Sequence, residues 1–202
     1  MTAIIDYGVG NLFSLECSLS SIGEETVITN DLKMLDKADR LVLPGVGAFR
    51  DAREALRKSG LEEGILDLVE KGKPILGICL GMQLLFDKDY EDGVYEGLGL
   101  ISGEVRAIGE VIPKELKIPH IGWNALSIKK NSRLFKYIND GDYVYFVHSY
   151  HAVKCEDDTT SVTDYGAPLT ASVEKGNVFG CQFHPEKSGE VGLSILKAFV
   201  EI

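Results

Sequence analysis

Residues 74–81 of this chain read Pro74-Ile75-Leu76-Gly77-Ile78-Cys79-Leu80-Gly81, and this stretch decides the fold. The apolar run before Cys79 is typical of a short buried strand, and the residues after it favour a helix. Gly77 and Gly81 lie two positions on either side of the cysteine, where larger side chains would collide across so tight a turn. This is the spacing of a nucleophile elbow with cysteine in place of serine. We therefore predict a strand, a sharp turn that carries Cys79, and a helix over residues 80–86.

The first hundred residues alternate between strand-like and helix-like segments. Leu12, Leu15, Leu19 and Ile22 recur at helical spacing, and Gly23 then closes that helix. The other predicted strands of this half are residues 3–5, 27–28 and 40–43. The predicted helices are residues 11–22, 51–58 and 61–71. This order implies a parallel sheet that helices cover on both faces.

The second half is richer in strands, which short turns containing Gly, Asn or Asp separate. The predicted strands are residues 105–108, 124–128, 143–148, 151–153, 169–174 and 178–183, and a last helix covers residues 189–200. We therefore predict an α/β fold with a mostly parallel central sheet and an antiparallel extension. Because no linker or repeat interrupts the pattern, we expect residues 1–202 to form a single domain.

Composition and charge exclude several classes of function. The 202 residues carry a formal net charge of −10 at pH 7, which argues against a nucleic-acid-binding protein. No apolar run approaches the roughly 18 residues of a membrane-spanning helix, and the start lacks the basic region of a secretory signal. We therefore expect a cytoplasmic protein without a nucleic-acid or membrane partner, in which the four cysteines are free thiols.

Cys79 on such a turn would have the geometry of a catalytic nucleophile. Its sulfur would lie above the carboxyl end of the sheet, where open α/β folds bind their ligands. Free N–H groups at the start of the next helix favour a thiolate, and the N–H of Leu80 would point towards an oxyanion formed by attack of that sulfur. An isolated motif of this kind is equally consistent with a buried cysteine that only fills space.

A histidine and a carboxylate follow the last predicted strand, in Phe183-His184-Pro185-Glu186. The residue before a proline avoids helical geometry, so His184 should be extended, and residues two apart would then project to the same side. Glu186 could orient the imidazole while His184 takes a proton from Cys79 and returns it to a leaving amine. A lone histidine is more often structural, but the pairing with Glu186 and an elbow cysteine favours a catalytic role.

A metal site is the competing interpretation, because Cys79, Cys181 and His184 could supply three zinc ligands. No fourth ligand or recognisable zinc motif accompanies them, and residues 181 and 184 would face opposite sides of a strand. We therefore predict no metal site.

Three segments together resemble the motifs of class I (triad-type) glutamine amidotransferases and occur in that family's order. They are Pro44-Gly45-Val46-Gly47, Gly77-Ile78-Cys79-Leu80-Gly81-Met82-Gln83 and Phe183-His184-Pro185-Glu186. The resemblance implies a flavodoxin-like form of the α/β fold and hydrolysis of glutamine to glutamate and ammonia through a thioester. It also implies that the chain needs no metal or organic cofactor.

Further segments are similar to the branch of this family that provides the glutaminase subunit of imidazole glycerol phosphate synthase. They are residues 6–12, 44–49, 121–124, 148–150 and 184–188. Relatives from anthranilate synthase and GMP synthetase more often carry histidine where this chain has Met82. The resemblance therefore implies a heterodimer with a cyclase subunit, which receives the ammonia.

The resemblance also implies a role for individual residues. Cys79 is the implied nucleophile, His184 the general base and acid, and Glu186 the orienting carboxylate. The implied oxyanion hole consists of backbone amides of Leu80, Val46 and Gly47. The implied glutamine-binding residues are Gly45, Gln83, Ser149 and Tyr150, and the implied residues of the partner interface are Asn11, Trp123 and Lys187.

Simpler explanations and other functions remain open at this point. Asn11 follows a glycine and suits a helix N-cap, Trp123 could pack in the core, and Lys187 could be an ordinary surface lysine. The chain could instead feed another synthase, such as the anthranilate or the pyridoxal-phosphate enzyme. A non-catalytic α/β protein with Cys79 as a redox sensor is the other alternative, although it would not need His184 and Glu186.

Overall fold

The computed structural model describes residues 1–202. The strands are β1 (Thr2–Ile5), β2 (Thr26–Thr29), β3 (Arg40–Leu43), β4 (Ile75–Ile78), β5 (Phe86–Asp89), β6 (Tyr95–Glu96), β7 (Ile101–Ala107), β8 (His120–Ala125), β9 (Ser127–Ile128), β10 (Tyr143–His148), β11 (Tyr150–Val153), β12 (Thr159–Asp164), β13 (Pro168–Lys175) and β14 (Val178–Cys181). The α-helices are α1 (Leu12–Ser21), α2 (Leu32–Lys37), α3 (Phe49–Lys58), α4 (Glu62–Glu70), α5 (Leu80–Leu84) and α6 (Gly189–Val200). None of these helices has the length and apolar character that crossing a membrane requires.

An eight-stranded sheet forms the centre of the molecule, in the order β2-β1-β3-β4-β14-β13-β12-β9. The strands from β2 to β14 in this order pair in parallel. The remaining three, β13, β12 and β9, continue the sheet in antiparallel fashion. The predicted α/β class, a mostly parallel sheet with an antiparallel extension, is confirmed.

Alternate residues of the parallel strands enter two separate hydrophobic cores. In β1, Ala3 and Ile5 pack on one face together with side chains of α2, α3 and α4. Ile4 packs on the opposite face with side chains of α1 and α6. Because successive side chains of a strand point to opposite faces, helices on both sides bury β1, β4 and β14 completely, whereas the edge strand β2 is half-buried. Only the ends of the strands are left to build a site.

Two smaller sheets stand apart from the central one, so the predicted extension was partly wrong. β8 pairs only with β10, while β11, β7, β5 and β6 form a sheet of their own. The strand predicted over residues 124–128 is interrupted at Leu126, whose N–H donates to Asp142 O at 2.9 Å and whose carbonyl accepts from Gly141 N at 2.8 Å. Leu126 itself is buried, and this kink sends β9 into the central sheet and β8 away from it.

Several elements carried no signal in the sequence, and several boundaries were wrong. β7 begins at Ile101 instead of residue 105, and β8 begins at His120 instead of residue 124. α2 is too short to show helical periodicity, and the interior-facing side chains of β12 include hydroxyl groups, such as Ser161 paired with Ser172 Oγ at 2.6 Å. The helix predicted over residues 80–86 ends at Leu84, because Leu84 O and Phe86 O accept from a later loop instead of extending the helix. The strand predicted over residues 178–183 ends at Cys181.

Candidate active site

Three neighbouring parallel strands bring the three sequence motifs together. β3, β4 and β14 lie side by side, and each is followed directly by one motif: Pro44–Gly47 after β3, Cys79 after β4, and residues 183–186 just beyond β14. Parallel strands present their carboxyl ends at one edge of a sheet, where open α/β folds bind ligands. The topology therefore converts segments far apart in sequence into one site.

Cys79 occupies the sharp turn that its flanking glycines predict. Its backbone has φ 55° and ψ −111°, a left-handed conformation that is strained for a residue with a side chain. A Cβ on Gly81 would clash with the carbonyl oxygen of Leu43, and one on Gly77 would lie 2.6 Å from Gly81 O. The N–H of Cys79 donates to Cys181 O at 2.8 Å, which ties the turn to β14. The elbow geometry is thus present.

The sulfur of Cys79 is nearly buried and has two polar neighbours besides the histidine. Its Sγ lies 3.8 Å from the carbonyl oxygen of Val147 and 3.6 Å from Nε2 of Gln182. The carbonyl can accept only from the thiol form, whereas the amide can donate to a thiolate. Neither Val147 nor Gln182 was predicted from the sequence.

His184 and Glu186 form the expected pair, but by a different backbone route. His184 is extended, with φ −99° and ψ 98°, whereas Pro185–Lys187 form a 3-10 turn, so the predicted extended geometry was wrong beyond His184. Proline at the first position of a helical turn costs nothing, because that position has no intrahelical N–H bond to make. The turn brings Glu186 Oε1 to 2.8 Å from His184 Nδ1.

Neighbouring main chain and a serine hold the histidine in place. His184 N donates to Tyr145 O at 2.9 Å. Ser188 Oγ donates to His184 O at 2.6 Å and accepts from Tyr145 N at 2.9 Å. The main chain of His184 is therefore fixed between β10 and the start of α6.

The buried carboxylate and sulfur set the protonation of this histidine. Burial alone would lower the pKa of His184, but hydrogen bonds with Cys79 and Glu186, and the negative charges of both, raise that pKa to about 9. The Glu186 carboxylate on Nδ1 and the neighbouring sulfur therefore favour the imidazolium form of His184. Such a group can donate a proton to a leaving atom and take one back.

A cavity of about 330 Å³ opens over the sulfur. Nine of the residues singled out from the sequence line it: Val46, Gly47, Cys79, Leu80, Gln83, Ser149, Tyr150, His184 and Lys187. Gly45 does not line the cavity but packs under the elbow, where a Cβ would lie 2.7 Å from Gly81 N. Glu186 lies behind His184 and is likewise absent from the wall. The cavity wall thus unites most of the predicted site.

Four further residues complete the wall and were not among the predicted site residues: Glu91, Pro119, Val147 and His148. Glu91 follows β5, a strand with no predicted counterpart, and its Oε2 accepts from Phe49 N at 2.7 Å. Asp89 Oδ1 in turn accepts from Glu91 N at 2.6 Å, and burial raises the pKa of Asp89 to about 6 despite that bond. Glu91 therefore brings a held negative charge to the cavity, which no motif indicated.

His148 lies on the same wall as a neutral imidazole. Burial lowers its pKa to about 4, although a bond to the Tyr150 carbonyl acts in the opposite direction. His148 Nδ1 lies 2.8 Å from Tyr150 O, so this nitrogen carries the proton. Its Nε2 is then an acceptor for His120 Nδ1 at 3.0 Å. The pair stiffens the wall without adding charge.

The three residues proposed for a partner interface have different surroundings. Asn11 caps α1, its Oδ1 accepting from Ser14 N at 3.3 Å, so the simpler explanation for this residue is confirmed. Trp123 is 54% exposed, which contradicts a core position. Its ring meets Tyr145 edge-on at 6.1 Å, and Lys187 Nζ lies 6.0 Å from the centre of that Tyr145 ring. Trp123 and Lys187 therefore flank one aromatic residue beside the cavity.

Comparison with known proteins agrees with this geometry. The chain matches the family described as glutamine amidotransferase class-I over residues 3–202. It is 54% identical to the imidazole glycerol phosphate synthase subunit HisH of Caldanaerobacter subterraneus subsp. tengcongensis, over 100% of this chain and 98% of that protein. It is 52% identical to the subunit of the same name from Lactococcus lactis subsp. lactis, over 98% of this chain and 96% of that protein.

Among solved structures, one described as a glutamine amidotransferase superposes with a TM-score of 0.77 at 17% identity, covering 98% of this chain and 97% of that one. Identity this low supports the shared fold alone. The assignment of the chain to a family therefore rests on the family match and on the two sequence relatives.

Proposed function

This chain belongs to the class-I glutamine amidotransferases, within the family of HisH subunits of imidazole glycerol phosphate synthase, and we propose that Cys79, His184 and Glu186 form its catalytic triad. The chain hydrolyses glutamine and supplies ammonia to a cyclase subunit in histidine biosynthesis. The observation that supports the triad is that Cys79 and His184 line the same cavity while Glu186 Oε1 lies 2.8 Å from His184 Nδ1.

In the first half of the reaction, the Cys79 thiolate attacks the side-chain amide carbon of glutamine. A carbon–sulfur bond forms, and the carbonyl π electrons move to the oxygen. The His184 imidazolium then gives its proton to the amide nitrogen, the carbon–nitrogen bond breaks, and ammonia leaves a γ-glutamyl thioester. Glu186 stabilises the imidazolium and fixes which ring nitrogen faces the sulfur.

In the second half, water attacks the thioester carbon. His184, now neutral, takes a proton from that water, and collapse of the second oxyanion expels the Cys79 thiolate and releases glutamate. The triad is thereby restored, and atoms balance as glutamine plus water giving glutamate plus ammonia.

In this proposal, backbone amides near the sulfur stabilise both oxyanions. Leu80 is the first residue of α5, and the first N–H groups of a helix have no partner within it. Val46 and Gly47 line the cavity on the opposite side of the elbow, and Gly47 has a φ of 91°, which suits only glycine. We assign the oxyanion hole to Leu80 with an amide of Val46 or Gly47. Gly45 contributes by letting this loop approach the elbow closely.

The charge on the cavity wall fits the amino-acid end of glutamine. The Glu91 carboxylate can pair with the α-ammonium group, since it already borders the cavity and is held by Phe49 N. Ser149 and Tyr150 supply neighbouring polar groups, and Gln83, whose Nε2 donates to Tyr150 O at 3.3 Å, braces that segment. We propose that these four residues select glutamine.

We also propose that the cyclase subunit docks over the face that carries Trp123. Ile121 and Trp123 lie two apart on β8, and both are exposed, which is unusual for large apolar side chains on one strand face. Lys187 borders both this face and the cavity. The heterodimer would therefore cover the cavity mouth and receive ammonia there. For Asn11, which caps α1, a role in this contact stays a prediction.

The test is glutamate release from glutamine by the purified chain, alone and with a cyclase subunit plus its ribonucleotide substrate. We expect activity that the cyclase stimulates and that Cys79→Ala abolishes, while Cys17→Ala, which changes an exposed cysteine on α1, retains it. Activity that the cyclase does not affect would mean that this glutaminase serves another synthase. Cys79→Ala with full activity would disprove the triad.

A further inference from the structure

Gln182 is a fully buried polar residue beside the nucleophile to which the triad assigns no task. It follows β14 directly, and its main-chain N–H donates to Ala171 O at 2.8 Å. Its side chain bridges two residues of the cavity wall. Nε2 lies 3.6 Å from Cys79 Sγ, and Oε1 lies 3.0 Å from Gln83 Nε2.

The neighbouring groups fix which end of this amide faces the sulfur. Gln83 Nε2 lies 3.3 Å from the main-chain oxygen of Tyr150, and a carbonyl oxygen can only accept, so the Gln83 NH₂ group points there. The same NH₂ group can only donate to Gln182, so the Gln182 atom that meets it is the oxygen. The NH₂ group of Gln182 is consequently left facing Cys79. Rotating either amide would place two acceptors or two donors against each other.

The sulfur needs such a donor in only one of its two states. As a thiol, Cys79 can donate to Val147 O, 3.8 Å away. As a thiolate it cannot, and a nearly buried anion requires hydrogen-bond donors to replace the water that it has lost. His184 is one donor, and Gln182 Nε2 is placed to be the second.

We propose that Gln182 is a positioning residue that donates a hydrogen bond to the Cys79 thiolate and links that sulfur to Gln83. The effect of this hydrogen bond on catalysis rests on the function proposed above, whereas the bond itself involves only Gln182 and Cys79. The two N–H donors hold the thiolate at a fixed place over the cavity. Gln83 bonds both to Gln182 and to the Tyr150 segment, where glutamine binds. The position of that segment is thereby coupled to the position of the attacking sulfur.

Two substitutions separate the donor from the space that it fills. Gln182→Met keeps approximately the volume but removes the donor, and Gln182→Glu keeps the shape and the acceptor for Gln83 but sets a carboxylate against the sulfur. Alkylation of Cys79 by iodoacetamide, followed over pH by mass spectrometry of the Cys79 peptide, reports thiolate formation without any need for glutamine. Ser161→Ala is the control, since it removes a fully buried hydroxyl of β12 that has no contact with Cys79.

We expect the alkylation profile to move to higher pH by about one unit in Gln182→Met and further in Gln182→Glu, because a hydrogen bond to a charged group has about this worth. In the complex with the cyclase, kcat for glutamate release should fall about 10- to 100-fold in Gln182→Met, with a smaller change in KM. Ser161→Ala should leave the profile and kcat unchanged. Profiles of both Gln182 variants that superpose on the wild type would overturn the proposal, whatever their thermal stability.

If both variants fail to fold, the wild-type chain decides the question. The side-chain amide ¹H–¹⁵N resonances of Gln182 should shift as Cys79 titrates, and the shift should be lost in Cys79→Ala. Constant resonances across that titration would overturn the proposal. A wild-type chain that releases no glutamate with the cyclase would instead contradict the proposed function and leave the contact to be judged by the alkylation and resonance data.

Discussion

The edge of the parallel sheet and the wall that faces it are built in different ways. At the edge, the nucleophile and its histidine each follow a central strand by at most a few residues, and main-chain bonds such as Cys79 N to Cys181 O hold them. The facing wall comes from the two smaller sheets and the loops between them, which contribute Glu91, His148 and Tyr150. Chemistry is thus encoded locally in the backbone, whereas recognition depends on tertiary packing.

The largest effect should come from the carboxylate at the sheet edge. Glu186→Gln keeps the shape but removes the charge that stabilises the imidazolium of His184. We expect kcat for glutamate release to fall about 10²- to 10⁴-fold with little change in KM, because the loss falls on the proton-transfer steps. Steady-state kinetics with the cyclase present would measure this. An unchanged kcat would mean that Glu186 only fills space behind His184.

The elbow itself should be the most sensitive point of the edge for stability. A methyl group on Gly81 would run into the carbonyl oxygen of Leu43, and backbone on both sides can move little. We expect Gly81→Ala to lower the free energy of unfolding by about 3 kcal/mol, as overpacking against fixed atoms does. Gly109→Ala is the matched control, because its methyl would meet only the flexible end of Ile118.

Because strands from both halves of the chain enter the eight-stranded sheet, we propose that residues 1–202 unfold as one domain. Urea unfolding of both glycine variants should then show one transition, and equal midpoints would contradict a rigid elbow.

Sequence motifs anticipated the edge because its geometry is short-range. Gly77 and Gly81 indicate a turn that larger side chains would obstruct, and Pro185 indicates that His184 is extended. The same reasoning failed over residues 80–86 and 184–186 only in the exact backbone path. Helical continuation past Leu84 is prevented by bonds to a loop that no local pattern reveals.

Of the facing wall, the family resemblance implied only Ser149 and Tyr150, and the other residues could not be anticipated because they have no spacing in common. Glu91 reaches the cavity because Asp89 and Phe49 hold it. Phe49 lies 42 positions before Glu91 in the sequence. Gln182 lay within the strand predicted over residues 178–183, but nothing in the sequence distinguishes an amide that faces the sulfur from one in the core. Long-range pairing of β10 with β8 and of β11 with β7 settles the positions of His148 and Tyr150.

The protonated histidine should make the stability of the edge depend on pH. The pKa of His184 is about 9 in the folded state: burial opposes this rise, while Cys79 and Glu186 cause it. Because the folded pKa lies above the unfolded one, the contribution is complete below about pH 6.5 and is lost as the pH rises through 9. Between about pH 6.5 and pH 9, we expect the free energy of unfolding of the wild type to fall by on the order of 2 kcal/mol relative to that of His184→Ala. A difference in free energy of unfolding between the two chains that stays constant with pH, measured by urea unfolding, would contradict the raised pKa of His184.

The wall can be tested through the charge that it adds. Glu91→Gln should raise KM for glutamine about 10- to 100-fold, since an ion pair with the α-ammonium group is lost, while kcat changes less because the triad is untouched. Asp92→Asn removes the same charge from the next residue, whose φ of 53° asparagine tolerates, and it should leave KM within about threefold. Equal effects of the two variants would reduce the role of Glu91 to general electrostatics.

The outer rim, where the wall meets solvent, should show the smallest effect. Trp123→Ala removes an exposed aromatic side chain that rests against Tyr145, and we expect the Kd for the cyclase subunit to rise about 10-fold, as for one moderate contact in an interface. Glutamate release at saturating cyclase should persist, because the triad and cavity stay intact. Tyr137→Ala, also exposed but bonded to Glu201 at the far end of α6, should bind the cyclase normally. Equal affinities for both variants, measured by titration calorimetry, would move the docking face away from β8 and separate recognition of the partner from the cavity mouth.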